Sequence, residues 1–176
     1  MQAIIDNIKN GNLMAKINLV ISDNKNAFAL ERAKKNNIPT YIINGNNNQD
    51  IDIELDNILE KYQIDLIVLA GYLKMIGPKL IDKYTIINTH PSLLPKFGGK
   101  GMYGMNVHRA VIEAKEAISG PTIHFVNDKY DEGNIISQTE VKIEDNETPE
   151  SLAKKVQVAE KVQLINILKE FIEGKL

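Results

Sequence analysis

Cysteine is absent from this chain of 176 residues. Disulfides, thiolate nucleophiles and cysteine-based zinc sites are therefore excluded, which fits a reducing compartment. Long hydrophobic runs are missing as well, since the longest one near the middle, LIVLAGYL, is far shorter than the roughly 20 residues of a membrane span. The N-terminus carries Asp6 and Lys9 where a secretory signal needs an unbroken apolar stretch. These absences predict a cytoplasmic protein without a membrane partner.

An excess of one charge is also lacking, because 21 Lys and Arg stand against 23 Asp and Glu. The basic residues do not concentrate on one stretch, which argues against nucleic acid as the main partner. A hydrophobic content of 43% and a charged content of 25% are ordinary for a globular protein. No linker, repeat or low-complexity tract divides the chain, so we expect one domain over residues 1–176.

Short β-branched runs alternate with segments of helical periodicity in the first half of the chain. The runs at 15–23, 40–44 and 65–71 are apolar almost throughout, and apolar residues repeat at helical spacing over 26–37 and 50–63. Strands that are apolar on both faces are typical of a parallel sheet covered by helices on two sides. This pattern predicts an α/β fold with a doubly wound, mostly parallel sheet.

The second half of the chain adds three strands and a long helix. One strand ends in the motif discussed next, and two more, at 120–128 and 134–143, are joined by the tight turn DKYDEG. A connection this short between two strands predicts an antiparallel pair near the C-terminal end. The last helix is expected to begin with Thr148 as N-cap and Pro149 at the first helical position.

The stretch TIINTHPSLLPKFGGKGMYG, residues 85–104, combines an amide and an imidazole on one strand. Alternate strand residues share a face, so Asn88 and His90 act on the same space. Pro91 ends the strand there, which places the pair at a carboxyl end, where open α/β sheets hold their ligands. An asparagine and a histidine that merely satisfy hydrogen bonds at a strand end are the alternative.

Asp131 supplies a carboxylate in a comparable place, in the turn after another strand. The Asp-Glu-Gly sequence suits a turn with glycine at a left-handed position, and an ordinary turn aspartate is the alternative. If the sheet brings Asp131 to His90, Asn88 can donate to an oxyanion, His90 can exchange a proton, and Asp131 can stabilise the charged imidazole. Together the three side chains suit acyl transfer.

Three segments in this order and spacing resemble the phosphoribosylglycinamide formyltransferase family: LAGYLKMIGPKL, NTHPSLLPKFGGKG and GPTIHFVNDKYDEGNIISQ. The resemblance covers essentially the whole chain and implies a Rossmann-like formyltransferase fold. It implies transfer of the formyl group of the co-substrate 10-formyltetrahydrofolate to glycinamide ribonucleotide, in purine synthesis and without a metal. The alternatives are a formyltetrahydrofolate deformylase, which is a hydrolase, or an inactive shortened member.

The same resemblance implies the roles of single residues. His90 would be the proton donor, Asn88 would stabilise the tetrahedral intermediate, and Asp131 would raise the pKa of the imidazole and relay protons. The folate would lie against a set made of Asn88 and the loop after the third strand: Leu73, Lys74, Met75 and Ile76. An amphipathic turn that packs its apolar residues into the core fits that loop equally well.

The resemblance also implies roles for residues farther along the chain. Gln157 and Glu160, three apart on the last helix, would lie near the glycinamide amine, and a solvated helix face is the alternative. His124 is expected beside the site as a hydrogen-bonded histidine without a catalytic role, and His108 on a helix surface. Asn48 stands near a position where related enzymes often have a basic residue, which weakens the substrate assignment there.

The beginning of the chain departs from the family pattern. The family has an apolar strand and a Gly/Ser/Asn phosphate loop ahead of the helix QAIID, whereas here that helix follows Met1 directly. We therefore expect an N-terminally truncated domain in which the first strand is missing from the sheet. Weak binding of the ribonucleotide, a residual folate cleft and low stability are the expected consequences.

Overall fold

The computed structural model describes residues 1–44 and 48–176, with the side chains of 48–50 outside the description. The helices of this part are α1 Gln2–Lys9, α2 Phe28–Lys35, α3 Asn48–Tyr62, α4 Pro78–Lys83, α5 Met105–Glu113 and α6 Pro149–Ile172. The strands are β1 Val20–Ser22, β2 Thr40–Ile42, β3 Leu66–Leu69, β4 Thr85–His90, β5 Ile118–Ser119, β6 Thr122–Phe125, β7 Ile135–Gln138 and β8 Val141–Lys142.

The strands form parallel pairs in the first half of the chain and antiparallel pairs in the second. β1 pairs with β2 and β3 with β4 in parallel, while β6 is antiparallel to both β4 and β7. The largest sheet of the described residues has the order β3-β4-β6-β7. The expected α/β class and the antiparallel pair near the C-terminal end are confirmed.

Helices cover both faces of this sheet, as the apolar strands predicted. Neighbouring residues of β4 show the division, since Ile86 and Ile87 are both buried but belong to different clusters. Ile87 packs with residues of α6, and Ile86 packs with residues of α3 and α4. Each cluster removes several large apolar side chains from water. Each fully buried side chain of this kind stabilises the fold by about 1.5–3 kcal/mol. The core therefore fixes which face each residue of β4 presents.

The start of α6 is capped as the sequence predicted. Thr148 is the N-cap, Pro149 follows it, and the Thr148 hydroxyl accepts a hydrogen bond from the backbone N–H of Ser151. The Ser151 hydroxyl in turn accepts from the Thr148 N–H, which completes a capping box. An N-cap of this kind contributes about 1 kcal/mol.

The strands are shorter than the predicted runs, and the difference is largest for two of them. The run at 15–23 is a strand only over Val20–Ser22, where β2 provides partners. The run at 134–143 divides into β7 and β8, because β8 leaves β6 and pairs with β5 instead. Gly120 permits this change of partner: a Cβ there would lie 1.8 Å from the carbonyl oxygen of Thr139. Among the described residues, no helix combines the length and the hydropathy needed to cross a membrane.

Candidate active site

Asn88 and His90 lie on one face at the carboxyl end of β4, where strand alternation predicted them. The antiparallel register sets Asn88 opposite His124 and His90 opposite Thr122 on β6. His90 is only 3% exposed, although it is the last residue of its strand. The loop after β4 and the turn with Asp131 account for this burial, because the Phe97 carbonyl and the Asp131 carboxylate lie against the two ring nitrogens.

Asp131 joins this pair from the turn between β6 and β7. Its Oδ2 atom lies 3.4 Å from Nδ1 of His90 and accepts a hydrogen bond of 2.9 Å from the backbone N–H of Gly99. Its Oδ1 atom lies 3.5 Å from Nδ2 of Asn88. The structure thus brings together the three side chains that the sequence singled out.

The backbone of this turn differs from the expectation. Asp131 itself adopts the left-handed conformation, with φ of 57°, and aspartate is one of the few residues that tolerate it. The prediction of a left-handed glycine in the turn was wrong, because Gly133 serves close packing instead. A Cβ at Gly133 would lie 1.7 Å from the carbonyl oxygen of Phe125.

The two ring nitrogens of His90 have different surroundings. Nε2 lies 2.8 Å from the carbonyl oxygen of Phe97, an acceptor, so Nε2 carries a hydrogen and donates it. Nδ1 faces the carboxylate of Asp131. Burial lowers the pKa of the His90 imidazole below its usual value, although the charge of Asp131 and the Phe97 carbonyl act to raise it. His90 is therefore neutral at pH 7, with Nδ1 as its basic atom.

Asn88 directs its amide group at two partners. Nδ2 lies 3.1 Å from Nε2 of His124 and 3.5 Å from Oδ1 of Asp131. Nε2 of the same His124 ring also lies 3.6 Å from Oδ1 of Asp131, and Nδ1 lies 2.8 Å from the carbonyl oxygen of Phe125. The amide orientation of Asn88 is thereby fixed by a buried histidine on the neighbouring strand.

The carboxyl of Asp131 is ionised at neutral pH. Burial is the largest single influence on its pKa and acts to raise it, but His124, His90 and the N–H of Gly99 together outweigh burial. The pKa of Asp131 consequently lies below its usual value. A partly buried anion beside a neutral imidazole is an arrangement that stabilises an imidazolium as soon as one forms.

The loop from Leu73 to Ile76 follows β3 and divides between the core and the surface. Ile76 is buried among residues of α3 and α4, while Leu73 is 53% exposed. Lys74 forms an ion pair of 3.3 Å with Asp23, which follows β1. The loop was interpreted either as a folate-binding wall or as a turn packed into the core. Core packing holds for Ile76 but not for Leu73, which is exposed.

A hollow of about 530 Å³ lies beside this loop. Met75, Ile76, Asp52 and Asp128 are among its lining residues. The loop is joined to the turn that carries Asp131 through Tyr130, whose hydroxyl donates to the carbonyl oxygen of Leu73 at 3.4 Å. This hydrogen bond joins the loop to the turn, but Asp128 is the turn's contribution to the hollow, and Asn88, His90 and Asp131 do not line it.

Gln157 and Glu160 lie on α6, away from the hydrogen bonds that join the other candidates. Gln157 is exposed and accepts a hydrogen bond of 3.4 Å from Nζ of Lys161. Glu160 is partly buried, and burial raises the pKa of its carboxyl, with Lys161 among the charges that oppose this rise. In the described part of the chain, no hydrogen bond or ion pair connects either residue to Asn88 or His90.

Two further expectations have different outcomes. His108 was predicted on a helix surface, and this was wrong: it is 5% exposed on α5, which packs against α6. Burial, and after it the charge of His90, lowers the pKa of His108. The side chain of Asn48 lies outside the described residues, so the expectation about that position stays a prediction.

Two backbone groups of the site were not foreseen: the carbonyl of Phe97 and the N–H of Gly99. Both belong to the glycine-rich loop after β4, in which Phe97 has a positive φ of 57° and Gly99 one of 92°. The run Phe-Gly-Gly was the available signal, because glycine allows a backbone to approach a site closely. Among the described residues, no group of three or more His, Cys, Asp or Glu side chains could hold a metal ion.

Comparison with known proteins identifies close relatives of the whole chain. The family described as Formyl transferase matches residues 1–168. The chloroplastic phosphoribosylglycinamide formyltransferase of Arabidopsis thaliana is 42% identical over 159 residues, which cover 87% of this chain and 54% of that protein. The enzyme of the same name from Haemophilus influenzae is 37% identical, with coverage of 100% and 83% respectively.

A solved structure agrees with these sequence relationships. The crystal structure of phosphoribosylglycinamide formyltransferase from Bacillus halodurans superposes with a TM-score of 0.89 at 35% identity. The superposition covers 97% of this chain and 88% of that one. The chain spans about half the length of the Arabidopsis protein.

Proposed function

The chain belongs to the formyl transferase family, and we propose that it transfers a formyl group from 10-formyltetrahydrofolate to the amine of glycinamide ribonucleotide. The observation that carries this proposal is the convergence of Asn88, His90 and Asp131 at the carboxyl end of β4. The names of the Arabidopsis and Haemophilus relatives supply the acceptor. The step belongs to purine synthesis, and we propose a cytoplasmic enzyme made of one formyltransferase domain.

The proton chemistry follows from the state of His90. The acceptor amine attacks the formyl carbon, a C–N bond forms, and the carbonyl electrons move to oxygen. Neutral His90 can accept the proton that the attacking nitrogen releases, and the ionised carboxylate 3.4 Å from Nδ1 stabilises the resulting imidazolium. The imidazolium then gives the proton to N10 of the folate as the bond between the formyl carbon and N10 breaks. Atoms and charges balance without another reactant.

Asn88 is the proposed donor to the oxygen that becomes negative. Its Nδ2 group lies 3.1 Å from Nε2 of His124, and its contact with Asp131 is longer, at 3.5 Å. The hydrogen of that long contact is the one that a substrate oxyanion can take over. Such a donor stabilises charge that develops only in the transition state, so it increases the rate rather than the binding.

The two ligands are assigned to separate sets of residues. We propose that the folate contacts Asn88 and the loop Leu73, Lys74, Met75 and Ile76, beside the hollow lined by Met75 and Asp128. Gln157 and Glu160 are proposed to bind the ribonucleotide. Burial raises the pKa of the Glu160 carboxyl, and a charge-assisted hydrogen bond to a cationic amine would favour its ionised form.

The test is a steady-state assay of the purified protein with 10-formyltetrahydrofolate, in the presence and absence of glycinamide ribonucleotide. Formation of formylglycinamide ribonucleotide and tetrahydrofolate in equal amounts, only when the acceptor is present, supports the proposal. Release of formate without the acceptor would identify a deformylase instead. Absence of both reactions, with folate binding retained, would contradict the catalytic assignment of the site.

A further inference from the structure

A fully buried hydroxyl beside His90 makes all the hydrogen bonds that a hydroxyl can make. Thr122, on β6, donates to the carbonyl oxygen of Ser92 at 2.6 Å. It accepts from the backbone N–H of Leu94 at 3.1 Å and from Nε2 of Gln138 at 2.9 Å. One donated and two accepted bonds saturate a hydroxyl, so these three hydrogen bonds hold the Thr122 hydroxyl in one orientation.

Gln138 extends the same network from the last residue of β7. Its Nε2 group donates one hydrogen to Thr122 and the other to the carbonyl oxygen of Leu94, both at 2.9 Å. The registers set His90 opposite Thr122 and Thr122 opposite Gln138. The three residues therefore form a row across three strands, with the backbone of the loop after β4 held over it.

The loop returns from this anchor to His90. Ser92 lies in its first turn, and the Ser92 hydroxyl donates to the carbonyl oxygen of Lys96 at 2.7 Å. The next carbonyl, that of Phe97, lies 2.8 Å from Nε2 of His90. Phe97 has a positive φ of 57°, a conformation that a non-glycine residue keeps only when its surroundings impose it. The position of this carbonyl thus depends on how firmly Ser92 and Leu94 are held.

We propose that Thr122 and Gln138 are positioning residues that hold the Phe97 carbonyl on Nε2 of His90 and so reserve Nδ1 for proton exchange. A neutral imidazole has two tautomers, and a carbonyl acceptor at Nε2 selects the one that is protonated there. The inference about proton exchange rests on the proposed function. The inference about the tautomer rests on two distances: the Phe97 carbonyl lies 2.8 Å from Nε2, whereas the Asp131 carboxylate, which favours a hydrogen on Nδ1, lies farther from that atom, at 3.4 Å.

The tautomer can be measured without any assay of activity. Histidine labelled with 15N gives different nitrogen shifts for the two tautomers, and the signal of His90 is assigned by its loss in His90→Gln. We expect the Nε2–H form in the parent protein at pH 7.5 and a mixture of both forms in Thr122→Val. Thr122→Ser keeps the hydroxyl and should restore the parent pattern. A folded Thr122→Val protein with the parent pattern would overturn the proposal.

Gln138 gives a second variant that does not depend on the core. It is exposed on the edge strand of its sheet, so Gln138→Leu should leave the fold intact while removing the bonds to Leu94 and Thr122. Gln163→Leu is the matched control, because the Gln163 amide also donates to β7, at Ser137, but does not contact the loop. We expect a tautomer mixture in Gln138→Leu and the parent pattern in Gln163→Leu. The same pattern in both variants would overturn the role of Gln138.

Kinetics then test the consequence for catalysis. Thr122→Val should lower kcat by about 10-fold, the size expected when a proton-transfer group loses part of its favourable orientation. The KM values for both substrates should change by less than about 3-fold, and Thr122→Ser should recover kcat. A mixed tautomer together with unchanged kcat would reject the link to proton exchange. If the parent protein transfers no formyl group, the proposed function fails, while the nitrogen shifts still decide the positioning role.

Discussion

The carboxylate of Asp131 lies 3.4 Å from Nδ1 of His90, on a residue whose own backbone is left-handed. The N–H of Gly99 donates to the same carboxylate oxygen at 2.9 Å, which holds that oxygen toward the imidazole. This contact connects a strand end to a turn that is distant in sequence. It is the relationship on which the proposed chemistry depends most.

Removal of either partner should therefore lower the rate far more than the affinity. We expect His90→Ala and Asp131→Asn each to reduce kcat by about 10²–10⁴-fold, the range typical of general acid–base groups. Folate affinity, measured by calorimetric titration, should stay within about 3-fold, because these interactions strengthen only in the transition state. Weakened folate binding with kcat preserved would contradict the assignment.

The pH dependence of activity follows from the lowered pKa of His90. The group is active when neutral, and burial holds its pKa below the usual 6.5. A plot of log kcat/KM for the free enzyme should therefore rise with pH through a limb centred below 6.5. In Asp131→Asn this limb should move to lower pH, since the anion that raises the pKa of His90 is gone. A limb at or above 6.5 in the parent protein would contradict the interpretation.

Stability should depend on pH through two buried histidines. His90 and His108 both have a pKa below 6.5 in the folded state, so the unfolded state binds more protons between the folded values and 6.5. The free energy of unfolding should therefore increase as pH rises through this window and be lost as pH falls. His108→Leu removes one of the two groups and should make the slope between pH 5 and pH 7 shallower. Urea unfolding at several pH values measures it, and an unchanged slope would show that His108 does not contribute.

Glu160 should affect one substrate only. We expect Glu160→Ala to raise KM for glycinamide ribonucleotide by about 10- to 100-fold, since a hydrogen bond to a charged group contributes about 1.5–3 kcal/mol. The affinity for the folate should be nearly unchanged. Lys154→Ala, at an exposed position of the same helix, serves as the control and should change neither value. Equal weakening of both ligands by Glu160→Ala would mean that the assignment is wrong.

Local rules account for much of the fold and for part of the site. Strand alternation placed Asn88 and His90 on one face, and Pro91 ended their strand, because both effects act within a few residues. The N-cap at Thr148 was predictable for the same reason, since the capping hydrogen bonds join neighbouring residues. The antiparallel pairing of β6 and β7 followed from the shortness of the turn between them.

Only the tertiary structure decided which distant groups meet and which side chains are buried. His108 looked like a surface residue until α5 was packed against α6, because burial depends on partners that sequence periodicity does not identify. The left-handed backbone of Asp131 and the row from His90 through Thr122 to Gln138 depend likewise on strand register. The sequence by itself determined the chemistry available at one end of β4. The packing of β6, β7 and the glycine-rich loop around that end determined how the chemistry is oriented, because those contacts join segments far apart in the chain.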